Sequence, residues 1–347
     1  TQSDGSFSIN LIRSLAGQDT GRVNPVPSTA VEGEDDEGEG LMLLGDFNHD
    51  GFDDLVVSTP EADVVSMTDN GRVNVYYGSA TGLSDLPDVI LAGASDGAHY
   101  GAGMDTGDFN NDGVADLAVG SPGWAPADDV EARHGLVHVY LGNASGLSPS
   151  PWVNLTGMAN ESLGSAIAAL HHTGSGASLA ATARNFTVEV SSSQTDAGKV
   201  NLYSGNESGL FPARNLTQTK DGGLFGRSLE GCDVNNDGHD ELIVGNTGTY
   251  SSPATYSSVE YYYGSSSGYN GTADHTLAQI VQGKLFGHNI ACVGDLDGDG
   301  YDEHIISEPF NSTSGAFGAG ALWLFEGTSG QLSGGADWQY WPPPNSR

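Results

Sequence analysis

The chain has 347 residues, of which 51 are glycine and 37% are hydrophobic, a composition that favours short strands and tight turns over helix bundles. Asp and Glu number 45 against 11 Lys and Arg, giving a net charge of −34, so the protein lacks the cationic surface needed to bind nucleic acid or anionic lipid. No apolar run approaches the roughly 18 residues of a membrane-spanning helix, and we expect no membrane insertion.

The first 39 residues precede any repeat. Residues 1–30 contain the apolar stretch GSFSINLIRSLA, which predicts an additional N-terminal strand that either closes the fold or is donated to a neighbouring molecule. Residues 31–39 form an acidic linker, interpreted as a solvated loop rather than a weak cation site. No charged-then-apolar leader stands at Thr1, so we expect any secretion signal to have been removed or never present.

One acidic segment recurs from residue 40 onward. Its copies begin at Gly45, Gly107, Cys232 and Gly294. Their first aspartates are 62, 125 and 62 residues apart, so the middle gap holds two periods and a further copy is expected near residue 171. The chain there reads LHHTGSGASLAA and has no acid. Residues 40–341 therefore consist of five repeats, the third of them degenerate.

Each repeat has four predicted strands in the same order. In the first repeat they are LMLL at Leu41, DLVV at Asp54, RVNVYYG at Arg72 and DVILAG at Asp88. The acidic segment joins the first two strands, and no long stretch has the 3.6-residue period of a helix. Four-stranded units repeated at a fixed period predict an all-β fold, a β-propeller of five blades with an additional N-terminal strand. Residues 342–347 form a Pro-rich tail.

Oxygen-bearing residues occupy alternate positions of each acidic loop. Positions 1, 3, 5 and 9 are Asp, Asn or Glu, position 6 is a glycine that permits a sharp turn, and position 7 offers its carbonyl oxygen. Carboxylates this close repel one another unless a cation lies between them, and this number of oxygen ligands favours Ca²⁺. The four predicted calcium sites are Asp46, Asn48, Asp50, Phe52 and Asp54; Asp108, Asn110, Asp112, Val114 and Asp116; Asp233, Asn235, Asp237, His239 and Glu241; Asp295, Asp297, Asp299, Tyr301 and Glu303.

Two other kinds of structure share part of this loop pattern. An EF-hand would need a Glu at position 12, where the four loops have Val57, Val119, Val244 and Ile306. Asx-rich turns without a cation remain the alternative. The third repeat has His171, Thr173 and Ser175 at the ligand positions, so no calcium site is expected there. His171 and His172 are adjacent in a predicted strand and point to opposite faces, which disfavours a transition-metal site.

Two further patterns concern covalent modification. Eight Asn-x-Ser/Thr sequons predict a glycosylated protein, with unmodified polar turns as the alternative. They lie at Asn143, Asn154, Asn160, Asn185, Asn206, Asn215, Asn270 and Asn311. The two cysteines, Cys232 and Cys292, lie just ahead of neighbouring acidic loops, and form either one disulfide or two buried thiols.

The sequence resembles the FG-GAP repeat family, the calcium-binding β-propeller of integrin α-subunit heads. The resemblance rests on the acidic loops, on a GAP-like Gly120-Ser121-Pro122 and on an FG-like dipeptide ahead of later repeats, at Tyr100-Gly101, Leu163-Gly164, Phe225-Gly226 and Phe286-Gly287. The first repeat lacks the dipeptide, and the five repeats are fewer than the usual seven blades. The family places a ligand face opposite the calcium loops, which here includes Trp124, Asp128 and Asp129. Trp124 is interpreted as a packed loop anchor in preference to a sugar- or peptide-stacking residue.

No catalytic motif was found among the residue patterns. The sequence therefore indicates a secreted, glycosylated, calcium-stabilised β-propeller without catalytic activity, acting in cell-surface adhesion or as a subunit of an extracellular fibre. The expected partners are other extracellular proteins, glycans or copies of the chain itself. The alternatives are a sugar-binding lectin and an accessory domain of a polysaccharide-degrading enzyme.

Overall fold

The computed structural model describes residues 40–173, 176–185, 187–190, 193–217, 224–247, 257–278, 285–310, 320–330, 332 and 336–340. The predicted N-terminal strand, the acidic linker and the Pro-rich tail lie outside these residues. The chain divides into two compact units, Thr1–Ser165 and Ala166–Arg347.

The first unit contains two four-stranded antiparallel sheets, each a meander in which sequential strands are neighbours. The strands of the first sheet are β1 (Met42–Gly45), β2 (Asp54–Thr59), β3 (Arg72–Tyr76) and β4 (Val89–Ala92). Those of the second are β5 (Met104–Gly107), β6 (Asp116–Ser121), β7 (Leu136–Tyr140) and β8 (Val153–Thr156).

The second unit contains most of the third sheet, whose first strand begins in the first unit, and all of the fourth and fifth. The third has β9 (Leu163–Leu170), β10 (Ser178–Ala183), β13 (Lys199–Asn206) and β14 (Gly209–Thr217). The fourth has β15 (Phe225–Cys232), β16 (Glu241–Asn246), β17 (Ser258–Tyr262) and β18 (His275–Ala278). The fifth has β19 (Ile290–Gly294), β20 (Glu303–Glu308), β21 (Ala321–Phe325) and β22 (Trp338–Tyr340). These are five four-stranded propeller blades, no helix occurs in the described part of the chain, and the predicted fold class is confirmed.

The link between the second and third strands of the third repeat contains a feature that the sequence analysis missed. Four predicted strands per repeat leave residues 183–198 as a connection, but this connection includes a hairpin of β11 (Thr187–Val190) and β12 (Ser193–Asp196). Alternation in TVEV was present in the sequence, but the run is short and lies outside the four-strand pattern shared by all repeats.

Burial differs between the strands of a blade and follows their sequences. Every residue of β2, β6 and β16 is buried, in keeping with near-continuous apolar runs such as DLVV and ELIV. The outer strand β4 has one buried residue among four, as expected for an edge strand that packs one face. The acidic loops therefore follow inner strands and lead into the most buried strand of each blade.

The FG-like dipeptides are turns that pack one blade against the preceding one. Their first residues are at most 5% exposed, and their glycines have φ between 78° and 96°, a region that favours glycine. A Cβ added at Gly101 would lie 2.7 Å from Cβ of Ser58, in the second strand of the preceding blade. In the first repeat the equivalent positions are Gly38 and Glu39, which lie outside the described residues.

Candidate metal centre

The first aspartate of each acidic loop caps the turn that follows it. In the first loop the Asp46 carboxylate accepts hydrogen bonds from the backbone amides of Asp50 at 3.0 Å and Gly51 at 2.9 Å. The equivalent pairs of bonds, 2.8 to 3.1 Å long, are made by Asp108, Asp233 and Asp295. The four predicted loops thus share one conformation, in which the side chains at positions 1, 3 and 5 project from a single tight turn.

Two positions of each loop require a left-handed backbone. Position 6 is glycine in all four loops, with φ between 83° and 96°. In the first two loops a Cβ added at this glycine would meet nothing within 4 Å. Position 4 also has positive φ, and its occupants are His49, Asn111, Asn236 and Gly298. Glycine at position 6 is therefore explained by backbone conformation, as the sequence predicted, while the requirement at position 4 was missed.

The acid at position 9 is the most buried member of the set and joins the loop to the rest of the blade. Asp54 is fully buried and accepts bonds from Phe47 N at 2.9 Å and Gly78 N at 2.8 Å. In the second repeat Asp116 accepts the same two kinds of bond. Gly78 follows the third strand, and a glycine ends the third predicted strand of every repeat, although Gly205 of the third repeat lies within β13. The recurring glycine is visible in the sequence, but its role becomes clear only from its hydrogen bond to the position-9 acid.

Burial raises the pKa of these position-9 acids. The pKa of Asp54 is raised to about 6 and that of Asp116 to about 7, chiefly by desolvation, with added repulsion from the other loop carboxylates. The pKa of Glu241 is raised to about 8 by burial and by Asp237 and Asp233. A divalent cation would reverse this repulsion and favour the ionised form of each acid.

The donor set fits a hard divalent cation. In the fifth loop the carboxylate oxygens of Asp295, Asp297 and Glu303 lie within 4.8 Å of one another. In the fourth loop Asn235 donates from Nδ2 to Glu241 at 2.8 Å, while its Oδ1 is buried and has no hydrogen-bond partner. A buried amide oxygen without a donor is costly, and a cation at the centre of the loop would satisfy it. Asp, Asn and Glu side chains with one carbonyl oxygen are the ligands that Ca²⁺ prefers.

The structure contradicts an EF-hand at these loops. Position 12 lies within a strand in all four repeats, and Val119, Val244 and Ile306 are fully buried. A residue there cannot reach back to the loop as the last EF-hand ligand does. The backbone hydrogen bonds alone are equally compatible with Asx-rich turns. The unpartnered Asn235 oxygen and the clustered carboxylates are the features that favour a cation.

The degenerate third loop contacts the fourth loop. His171 donates its backbone amide to the Asp240 carboxylate at 2.7 Å, and its Nδ1 lies 3.0 Å from the same oxygen. The ring of His172 packs 5.4 Å from that of His239. Strand β9 ends at Leu170, so neither histidine lies in the strand that was predicted for them. Ser175, the last of the three predicted positions here, lies outside the described residues.

The two cysteines are joined by a disulfide, Cys232–Cys292, with Cα atoms 5.5 Å apart. Asp302 lies beside them, its carboxylate oxygen 3.9 Å from Cys292 Sγ. Cys232, Cys292 and Asp302 could otherwise resemble a metal-binding group, but sulfur atoms bonded to each other are not thiolate ligands.

The residues predicted for a ligand face lie in the link between β6 and β7 of the second repeat. Trp124 is half-buried, and its ring meets that of His134 edge-on at 6.4 Å. The backbone of Trp124 bonds to Ser121 and Gly135, which accords with a loop anchor. Asp128 and Asp129 are exposed, and Asp129 lies 3.5 Å from His134.

The sequon asparagines lie on the surface. All of them within the described residues are exposed, and Asn311 lies outside those residues. At Asn143 and Asn206 the side-chain oxygen accepts a bond from the backbone amide two residues later, at 2.9 and 2.8 Å. Ser79 and Ser265 make the same turn elsewhere in the chain, so local turn geometry explains a polar residue there without requiring a sugar.

Comparison with known proteins supports the repeat assignment. The FG-GAP repeat model matches residues 41–76, 100–140, 225–271 and 289–325, and an FG-GAP-like repeat model matches residues 60–119. Together the two models cover more than half of the chain. The unmatched region between residues 140 and 225 contains the degenerate third repeat.

Several known proteins are similar to parts of this chain. Mouse phosphatidylinositol-glycan-specific phospholipase D is 35% identical over 122 residues, which is 33% of this chain and 14% of that protein. Drosophila melanogaster integrin alpha-PS5 is 41% identical over 93 residues, 25% of this chain and 9% of that protein. The solved rhamnogalacturonan lyase PL11 of Bacillus licheniformis aligns with a TM-score of 0.48 and 14% identity, over 86% of this chain and 50% of that one.

The chain spans a small fraction of the curated relatives that it matches. The activities of those larger proteins therefore cannot be assigned to this chain. Among the described residues, no helix is long and apolar enough to cross a membrane. The repeated acidic loops, the buried FG-like turns, the five blades and the two matching repeat models together identify the chain as a member of the FG-GAP repeat family.

Proposed function

We propose that this chain is a secreted, calcium-stabilised β-propeller without catalytic activity, acting in adhesion or in the assembly of an extracellular structure. The observation that carries calcium binding is the buried, unpartnered Oδ1 of Asn235. Asn235 is at position 3 of a loop whose other ligand side chains are Asp233, Asp237 and Glu241. Positions 1, 3, 5 and 9 supply side-chain oxygens, and position 7 supplies its carbonyl oxygen.

Calcium would act here as a structural element. Each position-9 acid bonds both to its own loop and to the glycine after the third strand of its blade, which is Gly78, Gly142, Gly264 or Gly327. Calcium binding at the loop would therefore also stabilise the pairing of strands in the same blade. A binding surface built on such blades would be held rigid in calcium-rich surroundings, which suits a module that presents a surface to partners.

Secretion and glycosylation belong to the same proposal. One disulfide and seven exposed sequon asparagines support an oxidising, glycosylating compartment. The net charge of −34 keeps such a surface soluble and favours cationic over anionic partners. Extracellular proteins, glycans or other copies of the chain remain the proposed partners.

A second candidate, glycan binding, is favoured by two aromatic residues on the outer strand of the fifth blade. Trp338 and Tyr340 are 54% and 44% exposed, and their rings are nearly parallel with centroids 6.0 Å apart. Exposed aromatic faces are suited to stacking on the apolar faces of sugars. This pair offers more ring surface than the half-buried Trp124, for which stacking was the alternative to a role as a loop anchor.

The two candidates are separated by binding measurements on purified protein. The lectin function would be favoured if the wild-type protein bound glycans on an array, the Trp338→Ala variant did not, and the Trp124→Ala variant still did. Electron micrographs that show calcium-dependent fibres or cell-attachment assays that require calcium would favour the adhesive or structural function. A monodisperse monomer that binds neither cells, glycans nor itself with calcium present would contradict both.

A further inference from the structure

The fourth and fifth acidic loops lie beside each other in the second unit. The backbone amide of Thr328 donates to the carbonyl oxygen of Val234, at position 2 of the fourth loop, at 2.8 Å. A Cβ added at Gly300, at position 6 of the fifth loop, would lie 3.4 Å from Nδ2 of Asn236. The two loops are therefore near enough for one structural element to set the geometry of both.

The disulfide is placed against the position-9 acids of both loops. Cys232 directly precedes Asp233, and in the pairing of β15 with β16 it stands opposite Glu241. Its Sγ lies 3.7 Å from the carbonyl oxygen of Glu303, the position-9 acid of the fifth loop. Cys232 is 1% exposed, so this contact is within the packed interior.

The partner cysteine is fixed on the inner strand that leads into the fifth loop. Cys292 is opposite His304 in the pairing of β19 with β20, and its backbone amide donates to Glu230 of β15 at 2.9 Å. The disulfide therefore joins β15 and β19, the first strands of the fourth and fifth blades, close to where each strand leads into its acidic loop. In the first two loops the residue equivalent to Cys232 is Gly45 or Gly107, which cannot form such a link.

We propose that the Cys232–Cys292 disulfide is a positioning element for the fourth and fifth calcium loops, holding their position-9 acids in place so that these two loops bind calcium more tightly. The inference rests on the proposed calcium binding. Groups that orient metal ligands without touching the metal commonly change affinity by about 10- to 100-fold when they are removed. Because the first two loops lack the bond, they serve as controls within the same chain.

Two variant backgrounds separate the pairs of loops. Asp50→Ala with Asp112→Ala disables the first two loops, and Asp237→Ala with Asp299→Ala disables the other two. Cys232→Ser with Cys292→Ser is then introduced into each, and Cys232→Ala with Cys292→Ala is measured alongside because it leaves no hydroxyl at a buried site. Calcium affinity is measured by titration calorimetry of the full chain, with circular dichroism reporting the folded state.

We expect calcium binding to weaken about 10- to 100-fold where only the fourth and fifth loops remain, and to be unchanged where only the first two remain. Equal affinity with and without the disulfide at the fourth and fifth loops would overturn the proposal. Loss at all four loops, whether by weaker binding or by unfolding, would also overturn it, because the role would then be general stabilisation. Absence of calcium binding in the unmodified protein would instead refute the proposed function.

Discussion

The carboxylate of Asp116 accepts a hydrogen bond from the backbone amide of Gly142, 3.0 Å away and 26 residues later in the chain. Its other oxygen accepts a bond from Phe109, inside the acidic loop, at 2.9 Å. One buried acid therefore connects a loop to the end of the third strand of the same blade. A change in the ionisation or ligation of Asp116 therefore affects both the loop and the third strand.

Calcium binding should release protons near neutral pH. The pKa of Asp116 is raised to about 7 and that of Glu241 to about 8, so in calcium-free protein each acid is partly protonated at pH 7, and a bound cation requires both to ionise. Calorimetric calcium titrations in buffers of different ionisation enthalpy should therefore show net proton release at pH 7 that disappears by about pH 9.

Asp116→Asn is the matched control for proton release, because it retains the shape of the side chain but cannot ionise. It should lower the number of protons released at pH 7 relative to wild type. Proton uptake, or an observed enthalpy independent of the buffer, would be inconsistent with buried acids of raised pKa.

The same shifts set the pH dependence of calcium-free protein. A carboxylate whose pKa is raised on folding contributes stability that is fully present below its unfolded value of about 4 and is lost as pH rises through its folded value. The Asp116 contribution is therefore lost as pH rises to about 7. In the presence of EDTA, the melting temperature of wild type relative to Asp116→Asn should fall over this range, and a rising difference would contradict the account.

A neutral, buried histidine should weaken the fold in acid. Burial lowers the pKa of His304 to about 3, and its Nε2 lies 2.7 Å from the Tyr261 hydroxyl. Since the unfolded chain takes up this proton near pH 6.5, the contribution of His304 is present above that value and declines by about 1.4 kcal/mol per pH unit toward the folded pKa.

Denaturant unfolding of wild type and His304→Gln from pH 7 to pH 4 would measure this contribution. The variant should be less stable at pH 7 and show a shallower loss of unfolding free energy on acidification. Parallel curves for the two proteins would show that His304 is protonated in the folded state or does not differ between the two states.

The FG-like Gly101 should tolerate substitution far less well than Gly97, which lies in the preceding turn. Gly101 has φ of 92°, and an added Cβ would lie 2.7 Å from Ser58 and 2.9 Å from Val73. Gly101→Ala should cost about 3 kcal/mol through the left-handed backbone and overpacking. Gly97 has φ of 63° with nothing within 4 Å of an added Cβ, so Gly97→Ala should cost about 1 kcal/mol. Equal costs in urea unfolding would argue against close packing at the dipeptide.

The repeat period was the most informative property of the sequence. It located the four-stranded blades because alternation in runs such as RVNVYYG recurs at equivalent positions, and β3 was found at Arg72–Tyr76. The hairpin of β11 and β12 was missed because it belongs to one repeat only, so no periodic signal supported it.

The loops were predictable in composition but not in their contacts. Alternating Asp and Asn identified positions 1, 3, 5 and 9, since a local turn brings nearby residues together. The bond between Asp54 and Gly78 and the contact of His171 with Asp240 join residues that are distant in sequence, and depend on strand pairing or on packing of one loop against another. Whether the two cysteines form a disulfide or remain two thiols could not be predicted, because their spacing in the sequence does not show how β15 and β19 lie relative to each other.

The number of calcium ions bound per chain tests the account most directly. Native mass spectrometry of protein equilibrated with calcium, together with elemental analysis, should find four ions per chain, and three in a variant with Asp46→Ala. Binding of no calcium would contradict the central claim, and a count of four that persisted in the Asp46→Ala variant would contradict the assignment of the first loop.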